Sequence, residues 1–184
     1  MKGRSIKVQN EDGVHIPYVG LSKEKSLELE RLVSKCLREE PFVLISSVGN
    51  KGIGKSTFGR YLRLNGFGSY KPKDIAVIDD GCMSVDVAFF FRWKYTCPCT
   101  GIDELAPFYN YCRKKRVRFY INSNPETRIT KASILLRLYT DEQKRLQRLI
   151  QRKGPKRGMD MFLETKDYQD THNISYKYEC SVEL

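Results

Sequence analysis

Between Ser5 and Val19 the stretch "SIKVQNEDGVHIPYV" alternates apolar and polar residues around the turn signal "NEDG", which predicts a small hairpin or irregular arm. The period then changes. Leu27, Leu29, Leu32, Val33, Cys36 and Leu37 fall mainly on one helical stripe behind Ser22, a candidate N-cap, so a helix is expected to pack beside the first strand of the core. That strand is "FVLISS", and it runs into a glycine-rich loop and the helical stretch "STFGRYLRLNG", which ends near Gly66. "DIAVIDDG" reads as a second strand ending in two carboxylates, "RVRFYINS" as a third and "SILLRLYT" as a fourth. The aromatic stretch "VDVAFFFRWKY" reads as a buried helix and "IDELAPFYNYCRKK" as an amphipathic one. "DEQKRLQRLIQRKG" follows with Leu146, Leu149 and Ile150 inward, then a further helix in "MDMFLETKDYQDTH" and a last strand in "ISYKYECSVEL".

Strands alternating with helices imply an α/β fold of three layers, a mostly parallel sheet with helices on both faces and ligands at the strand C-terminal ends. With 184 residues the chain is expected to be one domain overall, an N-terminal arm and helix (1–40) packed on a core (41–184). No internal repeat and no low-complexity segment interrupts it.

Hydrophobic residues at 40% and charged residues at 30% are ordinary for a globular protein, and no apolar run reaches the ~18 residues of a membrane span. Met1-Lys-Gly-Arg-Ser lacks the apolar core of a signal peptide, so a cytoplasmic location and no membrane partner are expected. The net charge of +11 favours polyanions, which leaves nucleic acid open as a partner beside the plainer reading of a basic nucleotide-handling enzyme; a homo-oligomer stays open too. Cys36, Cys82, Cys97, Cys99, Cys112 and Cys180 read as reduced thiols. A zinc site on Cys97, Cys99 and Cys112 is the alternative, though "CPC" is not a CxxC knuckle and His15 and His172 lie far away in sequence.

The chemistry concentrates in "SSVGNKGIGKSTFGR". Gly49, Gly54, Lys55 and Ser56 complete the Walker A pattern GxxxxGK[ST] between a strand and a helix, the context that pattern requires. Residues Gly49, Asn50, Lys51, Gly52, Ile53, Gly54, Lys55, Ser56 and Thr57 are the expected cradle for ATP or another nucleoside triphosphate. Glycines let successive N–H groups wrap a phosphate, and the helix N-terminus adds its positive dipole end. Lys55 is expected on the β and γ phosphates, the Ser56 hydroxyl on Mg²⁺, and Lys51 at the loop surface. Asp79 and Asp80 end the next strand, where a carboxylate can organise Mg²⁺ or accept the proton of an attacking hydroxyl, with one of the pair expected merely to cap the turn. The aromatic stretch Phe89, Phe90, Phe91, Trp93 and Tyr95 with Arg92 reads first as core and second as a surface on which a base stacks.

With these elements in order, the chain resembles the P-loop nucleoside and nucleotide kinases, the group of uridine kinase, thymidylate kinase and dephospho-coenzyme A kinase. The resemblance covers about residues 42 to 170 and rests on the Walker A loop, "VIDDG" and "SILLRLYTDEQKRLQRLIQRKGPKRGMDMF". It implies the three-layer P-loop NTPase fold and Mg²⁺-dependent transfer of the ATP γ-phosphate to a nucleoside, nucleotide or similar small acceptor. Asp80 would then be the acceptor's base, Asp79 a metal partner, and Arg148, Arg152, Lys153 and Arg157 the cations of a lid. The third strand reads "RFYINSNPE" and lacks the Asp-Arg-Tyr motif of thymidylate kinases. A second resemblance, to the superfamily 3 helicases of small viruses, joins "VIDD" to the asparagines of "NSN", Asn122 or Asn124, and implies an NTPase stimulated by nucleic acid. A GTPase fits less well, since no DxxG follows the second strand and "NKGI" belongs to the phosphate loop. A scaffold that binds nucleotide without turning it over is the third class.

Overall fold

The computed structural model describes residues 6–9, 15–18, 20–88, 91–97, 101–102, 105–166, 168 and 172–184. The arm is an antiparallel hairpin of β1 (Lys7–Gln9) and β2 (His15–Pro17). Helix α1 (Lys23–Glu39) starts where the Ser22 hydroxyl accepts from the Lys25 amide at 3.2 Å, and it buries Leu29, Val33 and Cys36. The core then runs β3 (Val43–Val48), α2 (Lys55–Asn65), β4 (Ile75–Asp79), β5 (Cys82–Ala88), β6 (Phe91–Thr96), α3 (Ala106–Cys112), β7 (Val117–Ile121), β8 (Ile134–Tyr139), α4 (Glu142–Lys153), α5 (Pro155–Glu164) and β9 (Tyr178–Glu183).

Seven strands form one sheet in the order β6-β5-β4-β7-β3-β8-β9, and β4, β7, β3, β8 and β9 are parallel. β3 and β7 are buried at every position, as expected of strands covered on both faces. Alternate residues along the strands divide between two cores. Val43, Ile45, Val77, Phe119 and Ile121 pack with α1 and α2, whereas Leu44, Ile78, Tyr120 and Leu135 pack with Phe108 and Cys112 of α3 and with Ile174. Gly59 lets α2 press onto the sheet, because a Cβ there would strike Ile121 Cδ1 and Val77 Cγ1. The α/β reading and the mostly parallel sheet with helices on both faces are therefore observed.

The aromatic stretch departs from the helix expected of it. It forms antiparallel β5 and β6, with Val85 opposite Trp93, Asp86 opposite Arg92 and Ala88 opposite Phe91, and a register irregularity between Asp86 and Ala88. β-branched and aromatic residues suit a pleated surface, and "CMSVDVA" carries the alternation that the apolar "FFF" obscured. Trp93 is 56% exposed, while Tyr95 packs inward on Phe108 with ring centroids 5.4 Å apart. Phe89 and Phe90 lie outside the described residues. Two boundaries also differ: α3 covers only part of "IDELAPFYNYCRKK", and α5 begins at Pro155, well before Met159.

Candidate functional site

From β3 the chain moves to β4, two places to one side, returns to β7, and then crosses to β8 on the other side of β3. The loops after β3 and β8 thus flank the point where strand order reverses, the crevice where open α/β sheets bind ligands. The loop after β3 is the glycine-rich one. Gly49 has φ +138°, and a Cβ there would fall on the Leu138 carbonyl oxygen at the end of β8, so only glycine lets the loop run this close to its neighbour. α2 opens at Gly54 with no side-chain cap, so its first turn presents the positive end of the helix dipole. Lys55 folds back on its own loop, its Nζ donating to the carbonyls of Gly49 at 2.6 Å and Asn50 at 2.9 Å.

Helix α4 braces this loop from the β8 side. Asp141 caps it by accepting from the amides of Gln143 and Lys144. Arg148 donates from Nη1 to the Ile53 carbonyl at 2.7 Å and from Nη2 to the Leu184 carbonyl at 3.3 Å. Burial pulls this guanidinium down from its usual pKa. Arg145 has no exposed side-chain surface. It pairs with Glu142 at 2.8 Å, donates to Thr165 Oγ1 at 2.9 Å, reaches the Lys51 carbonyl at 3.4 Å and lies 4.3 Å over the Phe162 ring. Asn50 closes the circuit by donating to the Thr165 carbonyl at 2.7 Å. The phosphate loop, α4 and the end of α5 are therefore one hydrogen-bonded unit.

Beside the loop opens a cavity of about 700 Å³ whose lining, among the described residues, includes Lys51, Lys55, Arg148, Arg152 and Lys153 and no carboxylate. That volume suits a small-molecule site, and the convergence of five cations suits an anion. Ser56 and Thr57 of the first α2 turn also line it, as do Gly52 and Gly54. Arg157, on α5, is exposed and is not part of the lining.

The acids sit on the opposite flank of the loop, at the end of β4. Ile75 and Val77 face the α2 side, so Asp79, two residues on, shares that face. Its carboxylate has no hydrogen-bond or ion-pair partner among the described residues. Asp80 turns the chain with φ +55°, a left-handed conformation that Asp and Asn tolerate better than most residues. Its amide donates to the Ile121 carbonyl at 2.9 Å, and its Oδ1 accepts from Asn122 Nδ2 at 3.4 Å. Asn122 also donates its amide to the Ser47 carbonyl at 3.2 Å, so it ties the β3, β4 and β7 ends together. Asn124 is exposed and donates its amide to Asn122 Oδ1.

A hydroxyl at Ser56 and an uncommitted carboxylate at Asp79 are the hard-oxygen donors that Mg²⁺ takes when phosphates and water complete its shell. No cluster of three His, Cys, Asp or Glu capable of holding a metal alone occurs among the described residues. Of the zinc candidates, Cys99 lies outside those residues, Cys97 is half-buried, and Cys112 is buried with its thiol on Met83 Sδ at 3.6 Å. Burial pushes the Cys112 thiol pKa up.

Pattern reading missed Arg145, Thr165, Val8 and Tyr18. A buried arginine in "DEQKRLQRL" looks like one more surface charge, and only the meeting of α4 and α5 reveals its role. No helix among the described residues is long and apolar enough to cross a membrane. Neither a family model, a curated protein nor a solved structure matches the chain, so its function is argued from its own chemistry.

Proposed function

We propose that this chain is a P-loop phosphotransferase that binds a nucleoside triphosphate and moves its γ-phosphate to a small acceptor, a nucleoside, nucleotide or similar hydroxyl or phosphate. The observation that carries this reading is the cation-lined cavity, with no carboxylate among its described lining residues, beside the glycine loop and the α2 N-terminus that no side chain caps. The loop amides of Gly49 to Lys55 hold the β and γ phosphates. Lys55 leaves the Gly49 and Asn50 carbonyls for phosphate oxygens, exchanging two neutral acceptors for a charged one. Arg152 and Lys153, in the last turn of α4, neutralise charge on the transferring group. Ser56 and Asp79 would hold Mg²⁺, which when bound supplies charge neutralisation across the β and γ oxygens. Asp80, exposed on the far flank, orients the acceptor or takes its proton.

Turnover of label from the ATP γ-phosphate, measured alone, with nucleosides and nucleotides, and with single-stranded DNA or RNA, tests this. Transfer to a small acceptor is expected. The Asn122 bridge between Ser47 and Asp80 supports a second reading, hydrolysis coupled to a nucleic-acid strand. Stimulation by polymer alone would establish that reading and end the first. Against it stands the contact of α4 and α5 with the phosphate loop, which gives the basic segment a task in phosphate handling.

A further inference from the structure

The cavity lining divides by chemistry. Its cations come from the phosphate loop and α4, while Val8, Tyr18, Leu149 and Met161 supply an apolar and aromatic wall. Two of those four belong to the N-terminal arm, which precedes the phosphate-loop core in sequence and which no motif connects to it. A phosphate tail needs only the cations; a ligand that uses both parts carries an anionic end and a flat, partly apolar end.

Tyr18 is held in place from three directions. Its amide donates to the Ile6 carbonyl at 2.7 Å, its ring meets Tyr61 of α2 edge-on with centroids 5.6 Å apart, and it packs against the core below. Its hydroxyl is buried and finds no hydrogen-bond partner among the described residues. A buried phenol without a partner is an unsatisfied polar group, as are the buried Ser46 and Ser47 hydroxyls on β3; Tyr18 differs in that it also lines the cavity. Burial pushes its pKa up to about 12, with the Arg148 charge acting in the opposite direction, so at neutral pH it is a neutral hydroxyl able to donate.

We propose that the N-terminal hairpin closes the nucleoside end of the triphosphate site, and that the Tyr18 hydroxyl hydrogen-bonds the ribose or base of the bound nucleotide. This rests on the phosphate-loop reading above. The aromatic ring and Val8 cover the nucleoside while the loop holds its phosphates, and the hydroxyl gains in the complex the partner it lacks in the free protein.

The test compares ATP with inorganic tripolyphosphate, which carries the phosphates and no nucleoside, by calorimetric binding to wild-type and Tyr18→Phe protein. Tyr18→Phe removes an unpartnered hydroxyl, so the free variant is expected to melt at the wild-type temperature or above it. Its affinity for ATP is expected to fall about fivefold or more while tripolyphosphate binding is unchanged. Equal ATP affinity in the two proteins, or an equal loss for ATP and tripolyphosphate, overturns the proposal. Tyr18→Ala, which also removes the ring, is expected to lose more ATP affinity than Tyr18→Phe and again to spare tripolyphosphate. Binding of tripolyphosphate that depends on Lys55, with no effect of Tyr18, would leave the phosphate site standing and refute only the hairpin's part. If the wild-type protein binds neither probe, the phosphate-loop reading fails and the hairpin proposal falls with it.

Discussion

Lys55 is a structural side chain with a proposed chemical task. In the free protein its ammonium satisfies two loop carbonyls. The variant Lys55→Ala is expected to lose about a hundredfold or more of turnover, the scale of removing one preorganised donor to a transition-state oxyanion. Because the lysine is only half-buried and is bonded to neutral carbonyls, the melting temperature is expected to move by only a few degrees. Unchanged turnover would remove Lys55 from the chemistry. Asp80 permits a cleaner separation. Its φ of +55° is one that asparagine accepts, so Asp80→Asn should fold normally and keep its affinity for ATP. Its transfer rate is expected to drop about 10²–10⁴-fold, the usual contribution of a positioned base. Full activity in that variant would make Asp80 the turn-capping member of the pair and shift attention to Asp79.

At the scale of elements, Arg145 joins α4 to the end of α5, while Arg148 and Asn50 tie that pair to the glycine-rich loop. Replacing Arg145 with methionine keeps length but removes the pair with Glu142, the bond to Thr165 and the charge over Phe162. Glu142 is 60% exposed and can be rehydrated, so the cost falls below that of stranding a buried partner. A loss of about 2–3 kcal/mol in urea denaturation is expected. The junction of α1 with the sheet offers a pH test. Burial raises the Glu40 carboxyl pKa, but hydrogen bonds from Lys177 and Ser133 outweigh it and hold the group below its ordinary 4.5. A depressed folded-state value means that the ionised form contributes stability above the unfolded value and loses it as pH falls through the folded one. The difference in melting temperature between wild type and Glu40→Gln is therefore expected near neutrality and should vanish in acid, once pH has fallen through the depressed folded-state value. A difference that persisted in acid would assign the effect to packing. The hairpin of β5 and β6 carries a different lesson. Its apolar run could not be told from a buried helix by periodicity, and pairing with β4 at Asp79 opposite Cys82 and Ile78 opposite Met83 decided it.

Across the whole molecule, the net charge of +11 has a local expression in the cavity, where Lys51, Lys55, Arg148, Arg152 and Lys153 converge with no acid among the described lining residues. Nucleotide affinity should therefore weaken as salt is raised from about 0.05 to about 0.5 M, because Lys51, Arg152 and Lys153 are exposed enough to be screened. Salt-independent binding would show that the loop amides and buried groups alone hold the phosphates. What was legible in the chain was local. The glycine-rich loop between β3 and α2 could be read from Gly49 to Ser56 because its geometry is imposed by neighbouring residues, with glycines supplying the backbone torsions ahead of a helix start. The strands around it could be read because burial on both faces writes itself as an apolar run. The order of those strands, the bridge from Asn122 to Ser47 and Asp80, the buried place of Arg145 and the arrival of Tyr18 beside the phosphate loop could not be read. Each depends on residues far apart in sequence meeting across the sheet, and a single polar side chain carries no mark of which distant partner it will find. By itself, then, the sequence determined where the glycine-rich loop lies between its strand and its helix; the tertiary structure alone decided which cations, which acids and which aromatic ring gather around that loop, because packing rather than pattern brings them together.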